Sequence, residues 1–218
     1  MGALGPKLLL EVGGRPALQR VLDTFLEVEA VGEIAVVVPP ALLHDAERIA
    51  SSRQNPRRAR IAVSPGGKTR RDSVRIGIDS LARSLPFIAV HDVARVLVTP
   101  VLIERVLQAA RTTGAAIPAC PVRDTLKEVA GGRVLRSVPR EGLSGAQTPQ
   151  IFARDILARA HALAGEQHAE ATDDAMLVER LGSEIAVVAG EAANLKLTEP
   201  GDLVVLEAWL KAGHGSEG

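Results

Sequence analysis

Several stretches of this chain carry side chains able to act on a phosphate group. Lys7 is a compact positive charge suited to phosphate oxygens; alone it reads more readily as a surface lysine, but its place between Pro6 and Leu8-Leu9-Leu10 holds it near the sheet edge. Gly66-Gly67-Lys68-Thr69-Arg70-Arg71-Asp72-Ser73-Val74 follows a strand-like run and opens a helix-like one. Free N–H groups at such a helix start make a pocket for an anion or a base edge; the plain alternative is a turn capped by Ser or Asp. The G-x-x-x-x-G-K-[ST] spacing is absent, so an ATPase built on that loop finds little support. His91-Asp92 stands at the end of another strand-like run, where open α/β sheets hold ligands. Asp92 could hold Mg²⁺ beside a nucleoside triphosphate, or merely cap the next turn. Arg95 offers a forked cation to a phosphate or carboxylate, and His91 reads as a packed or supporting histidine rather than a base. Asp124-Thr125, Arg140, Gln147-Thr148, Thr172-Asp173 and Lys196 are individually weak, each also readable as turn, cap or solvated charge. Lys196 stands out because it follows the last expected strand, from which a cation could reach the same crevice.

Alternating helix and strand signals must position these groups. Apolar residues at Leu18, Val21, Leu22, Phe25 and Leu26 predict a helix over 16–28. Ile34 to Val38 is a β-branched run ended by Pro39-Pro40, as in a buried parallel strand. A helix is expected over 42–51, a strand over 60–63, a helix over 72–85 and a strand over 87–90. Thr99 should cap a helix over 100–111 that begins with Pro100, and a strand follows over 115–119. Short connections between such elements predict a doubly wound, mostly parallel α/β sheet. The pattern breaks over 122–149, where two half-exposed strands flank Ala130-Gly131-Gly132 and predict an inserted β-hairpin. Two isolated strands are marginal in water, so the arm should lean on a second subunit or fold as a flap on its own domain. Helices over 151–163 and 172–181, the second capped by Thr172, a strand over 185–188 and a helix over 202–210 complete one expected domain, 1–218; the stretch beyond Lys211 should fray.

Acidic and basic residues balance at 26 each in 218 residues, so no net field argues for nucleic acid or a membrane surface. Arg53, Arg57, Arg58 and Arg60 read as a solvated rim. Cys120 is the single cysteine, which excludes a disulfide framework or a cysteine metal cluster. No apolar stretch approaches the roughly 20 residues that span a bilayer, and Phe25, Phe87, Phe152 and Trp209 are too few for a base-stacking surface. A soluble cytoplasmic protein is expected.

Taken in order, Pro6-Lys7-Leu8-Leu9-Leu10, Gly66-Gly67 with Arg70 and Ser73-Val74, and His91-Asp92-Val93-Ala94-Arg95 resemble the 2-C-methyl-D-erythritol 4-phosphate cytidylyltransferase family of non-mevalonate isoprenoid synthesis. So do Pro121 to Lys127, Ala146-Gln147-Thr148-Pro149-Gln150, Thr172-Asp173-Asp174, Asn194-Leu195-Lys196-Leu197-Thr198 and Pro200-Gly201-Asp202-Leu203. The resemblance covers essentially the whole chain. It implies a Rossmann-like nucleotidyltransferase that joins CTP and methylerythritol phosphate, releasing pyrophosphate, as a homodimer through the β-arm. Lys7 and Lys196 would hold the triphosphate; Gly67, Arg70 and Ser73 would line the cytosine and ribose pocket. Asp92 would serve Mg²⁺ and nucleotide, and Thr148 would sit near the reacting phosphates. Arg95 and Thr172, with Thr125 and Arg140 from a partner's arm, would grip the acceptor.

The resemblance also implies a first strand, a glycine turn and a catalytic arginine ahead of the Pro-Lys step, of which Met1-Gly2 matches only the end. The expectation is a start assigned at an internal Met, with turnover nearly abolished without those groups. Val93 and Val96 depart mildly from the family pattern. A ribitol 5-phosphate-type cytidylyltransferase shares the layout and differs only around Arg95, Thr125, Arg140 and Thr172; a truncated, non-catalytic homologue is the reading from another class. Gly13-Gly14 begins no G-x-G-x-x-G fingerprint, so a dinucleotide oxidoreductase is remote.

Overall fold

The computed structural model describes residues 6–55, 59–166 and 171–213; Met1-Gly2, Arg57, Arg58 and the last five residues lie outside them. A 3-10 turn at Lys7–Leu9 leads into a small hairpin, β1 (Glu11–Val12) and β2 (Arg15–Pro16), and helix α1 (Ala17–Glu27). Then come β3 (Glu33–Val38), α2 (Leu43–Ser51), β4 (Arg60–Pro65), α3 (Arg70–Ser80), β5 (Phe87–Val90), α4 (Pro100–Thr113) and β6 (Ala115–Pro121). The arm is β7 (Leu126–Ala130) and β8 (Arg133–Val138), followed by β9 (Ser144–Ala146) and β10 (Gln150–Ala153). Helices α5 (Arg154–Glu166) and α6 (Asp174–Glu179), strand β11 (Ala186–Ala189) and helix α7 (Pro200–Lys211) close the chain.

The main sheet runs β11-β6-β10-β5, with β9 paired beside β6. β11 is parallel to β6, while β10 is antiparallel to both β6 and β5. Thus β5, β6 and β11 point one way and β10 alone of these four is reversed. β3 and β4 form a separate parallel pair. Buried Leu102, Ile103, Val106 and Ala110 of α4 pack on one face with Phe25 and Ile151, whereas Leu157, Ala160 and Ala164 of α5 pack on the other with Phe152 and Ile88. The sheet is therefore covered by helices on both sides.

Three expectations shift. The helix expected from residue 151 begins at Arg154, because Gln150, Ile151 and Phe152 are all buried as a central strand. The helix over 72–85 ends at Ser80. Side chains satisfy the turn that follows: Glu33 accepts from the Ala82 N–H, and the Arg154 guanidinium donates to the carbonyls of Ala82 and Leu85. Finally, α6 is capped by Asp173, whose carboxylate accepts from the Met176 N–H at 3.0 Å, and not by Thr172.

The arm turns at Gly131 and Gly132, with φ of +57° and +74°, the left-handed pair that a tight hairpin requires. It pairs only with itself among the described strands, and Val129, Val134 and Leu135 stand exposed on it. Between the facing sides of β3 and β5 lies an apolar cleft of about 560 Å³, closed by α1 and α3. Lys7, Arg70 and Asp92 line it as well.

Candidate active site

The site is built where β4 and β5 end. After β4 the chain turns through Gly66-Gly67 and enters α3 through a reciprocal cap: Thr69 Oγ1 accepts from the Asp72 N–H, and the Asp72 carboxylate accepts from the Thr69 N–H. Glycine is required by close approach. A Cβ at Gly66 would stand 2.8 Å from Ser73 Oγ, and one at Gly67 would stand 2.4 Å from Asp72 Cβ. Ser73 Oγ donates to the Thr69 carbonyl and accepts from the Gly67 N–H at 3.1 Å, so this hydroxyl holds the turn in shape. Arg70, the first residue of α3, reaches from there to the Asp174 carboxylate.

Asp92 follows β5. Its Oδ2 accepts from Lys196 Nζ at 2.7 Å, and its backbone N–H donates to Thr148 Oγ1 at 3.1 Å. Burial alone would raise the Asp92 carboxyl; the Lys196 hydrogen bond and charge, with Arg70 and His91 adding, outweigh it and hold the group below the usual carboxylate range. Lys196 is fixed from its neighbours: Leu197 is fully buried and its N–H donates to the Ala94 carbonyl. Asp202 accepts from the N–H groups of Thr198 and Glu199. Lys7 lies near enough to Asp202 to help lower that carboxyl, behind those backbone hydrogen bonds.

His91 is not placed as a base. Its Nε2 faces the Arg95 carbonyl, an acceptor, so Nε2 carries the proton; Nδ1 then accepts from the Thr148 hydroxyl at 3.0 Å. Burial pushes the ring down to about 4, leaving a neutral imidazole that sets the orientation of Thr148. Arg95 spreads its fork over two loops, Nη1 on the Asn194 carbonyl at 2.8 Å and Nη2 on the Ala146 carbonyl at 3.0 Å. Burial lowers Arg95 from its ordinary value, against Asp92, which raises it.

The structure thus gathers Asp92, Lys196 and Thr148 by direct hydrogen bonds, with Arg70 and Lys7 on the same cleft. Thr172 is exposed just before the Asp173 cap. Thr125 and Arg140 lie exposed at the root of the arm, where Arg140 donates to the Arg123 carbonyl. No hydrogen bond or ion pair among the described residues joins Thr125, Arg140 or Thr172 to Asp92.

Two buried amides escaped the sequence reading as supports. Gln147 bridges both backbone groups of Glu191, and Asn194 donates to Gln147 Oε1 and the Thr148 carbonyl. Together they tie the Thr148 and Lys196 loops. Their only signal was polar residues inside otherwise small and apolar stretches.

One carboxylate is available for a divalent ion. Asp92 Oδ1 accepts no hydrogen bond from the described residues, and no group of three or more His, Cys, Asp or Glu side chains among them could hold a metal. Mg²⁺ ordinarily takes one or two carboxylates together with substrate phosphates and waters, so the donor set fits a metal brought in with a triphosphate. It does not fit an ion held by protein alone.

Comparison with known proteins gives one answer. The sequence model of the 2-C-methyl-D-erythritol 4-phosphate cytidylyltransferase family matches residues 1–212. The enzyme of that name from Thermus thermophilus is 42% identical over 204 residues, covering 94% of this chain and 88% of the relative. The one from Pelotomaculum thermopropionicum is 42% identical over 217 residues, covering 99% of this chain and 90% of its own. A crystal structure of the Thermus thermophilus enzyme superposes with a TM-score of 0.80 at 40% identity, covering 95% of this chain and 94% of that one. An Anaerococcus prevotii 4-diphosphocytidyl-2C-methyl-D-erythritol synthase reaches 0.85 at 27% identity, covering 96% and 95%.

Proposed function

The chain belongs to the 2-C-methyl-D-erythritol 4-phosphate cytidylyltransferase family, and we propose that it joins CTP to methylerythritol phosphate through the cluster centred on Lys196 and Asp92. The relatives support this acceptor and not ribitol 5-phosphate. The observation that carries the assignment of the centre is the 2.7 Å contact of Lys196 with Asp92, which hydrogen-bonds Thr148 and itself lines the cleft.

In this reaction a phosphate oxygen of the acceptor attacks the α-phosphorus of CTP. The new P–O bond forms as the bond to the β-phosphate oxygen breaks, and pyrophosphate leaves. With a second pKa of about 6, the acceptor phosphate is already an anion at neutral pH. No general base is required, in keeping with a neutral His91 whose two nitrogens are engaged. Catalysis then rests on alignment and on charge stabilisation at the transferring group. Lys196 and Lys7 supply positive charge, Arg70 and the Gly67 turn hold the nucleoside end, and the Thr148 hydroxyl lies toward the reacting phosphates. Arg95 fixes the loops that carry Thr148 and Lys196. Asp92 Oδ1 would hold Mg²⁺ with the triphosphate, the ion supplying charge neutralisation on the phosphate oxygens.

The arm supports a homodimer: exposed Val129, Val134 and Leu135, on a hairpin with no other strand beside it among the described residues, need a cover. A partner's arm would bring Thr125 and Arg140 to the acceptor, and Thr172 would meet it from the near side. Among the described residues no helix is long and apolar enough to cross a membrane. The assignment is tested by incubating the chain with CTP, Mg²⁺ and methylerythritol phosphate and identifying products by ³¹P NMR. CDP-methylerythritol and pyrophosphate in equal amounts are expected on prolonged incubation, even at the low turnover expected from the sequence; equal product with ribitol 5-phosphate as acceptor would overturn the acceptor assignment.

A further inference from the structure

The Asp174 carboxylate lies entirely out of solvent, where a charge persists only with close partners. It has two. Arg70 Nη2 donates to its Oδ2 at 2.7 Å, and His161 Nε2 meets its Oδ1 at 2.8 Å. His161 is itself buried, and its Nδ1 is shut from solvent with no partner. A proton on Nδ1 would have no acceptor there, whereas one on Nε2 points at the Asp174 carboxylate.

From these contacts we infer that His161 and Asp174 are positioning residues that preset Arg70 for the nucleotide; the inference rests on the reading that Arg70 contacts CTP. Arg70 is the one member of the trio that reaches the cleft, where its charge also acts on Asp92. Its other guanidinium N–H groups make no hydrogen bond to the described residues, leaving part of the fork for a ligand.

The far end of the trio does not give. Asp174 begins α6, whose entry is pinned by the Asp173 cap and by Gln150, which donates to Asp173 Oδ2 and accepts from the Ala175 N–H. His161 sits on α5, which Arg71 ties to α3 by donating to the Ala164 carbonyl. Three helices therefore converge on one guanidinium. An arginine ordered before binding spares the ligand the loss of that side chain's rotamer freedom. The trio does more than stitch helices together, since its one solvent-exposed member, Arg70, is also the one that lines the cleft.

The test is a double-mutant cycle read by CTP dissociation constant, from calorimetry with Mg²⁺, and by thermal midpoint. Arg70→Ala should weaken CTP binding, and His161→Leu should weaken it roughly three- to tenfold. In the Arg70→Ala background His161→Leu should add nothing to the CTP constant. His161→Gln, whose amide nitrogen can occupy the Nε2 position, should restore most of the binding, whereas His161→Asn should not. This Gln-Asn pair carries the test if the leucine variant fails to fold. Equal weakening by His161→Leu with and without Arg70, tracking the thermal midpoint, would overturn the inference in favour of a purely structural trio. Weaker binding in Arg70→Ala with none in His161→Leu or His161→Asn would overturn the inference alone. An unchanged constant in Arg70→Ala would overturn both it and the nucleotide role of Arg70.

Discussion

Replacing Arg95 by Lys separates two jobs that one side chain could perform: holding loops and gripping the acceptor. The guanidinium donates at 2.8 Å to the Asn194 carbonyl and at 3.0 Å to the Ala146 carbonyl, the first of these partly buried and the second on the exposed side. Hydrogen bonds to charged groups contribute about 1.5–3 kcal/mol each, with the exposed one at the low end. A lysine ammonium cannot span both acceptors, since it lacks the planar fork. Arg95→Lys should therefore lose about 2 kcal/mol, and a chain of this size loses about 2–4 °C of thermal midpoint per kcal/mol. The expected drop is about 4–8 °C by differential scanning fluorimetry, matched by an earlier urea midpoint at unchanged m-value. Since the loops so tied carry Thr148 and Lys196, turnover should fall along with acceptor affinity. A midpoint within about 1 °C of wild type, with only the acceptor KM raised, would refute the loop-anchoring argument and leave Arg95 as a pure ligand contact.

Lys196→Ala should reduce kcat about 100- to 1000-fold, the loss seen for one preorganised donor to a transition state, with a smaller change in CTP KM under steady-state assay. Gly67→Ala must push a Cβ toward Asp72 Cβ, 2.4 Å away, and should lower stability by about 1–3 kcal/mol by overpacking while weakening CTP binding; denaturant melts and calorimetry read the two effects. If the chain dimerises through the arm as proposed, Leu135→Glu should leave it monomeric in sedimentation velocity where the wild type is dimeric; a dimer unchanged by the substitution would show that the arm is not its seam. Arg140→Ala should raise the acceptor KM and leave that of CTP alone, and equal changes in both would remove it from the acceptor site.

Much of the fold was legible because the strands are continuous β-branched runs and the helices keep apolar spacing. Ile34 to Val38 and the Thr99-Pro100 helix start fall where the residues place them. Strand β10 was not, since Gln150-Ile151-Phe152 is as short as a helical turn and its antiparallel place between β5 and β6 is a tertiary fact. The Asp173 cap was missed by one residue, because Thr172 is also a favoured capping type. Asp92 and Lys196 are 104 positions apart in sequence and meet only through the fold. The supporting histidine was in principle readable: His161 shares the helical face of Leu157, Ala160 and Ala164, where a polar side chain must have a partner. That the partner is Asp174, and that it leads on to Arg70, needed three helices in place.

On the function proposed above, this cluster transfers a cytidylyl group to methylerythritol phosphate with Lys196 beside the reacting phosphates. The most direct measurement is a single-turnover reaction, with protein in excess over α-³²P-labelled CTP, Mg²⁺ present and either methylerythritol phosphate or ribitol 5-phosphate as acceptor. Labelled CDP-methylerythritol, little product with the polyol phosphate, and a rate lowered at least about 100-fold in Lys196→Ala are expected. Transfer that proceeds equally to both acceptors, or at an unchanged rate without the Lys196 ammonium, would contradict that function.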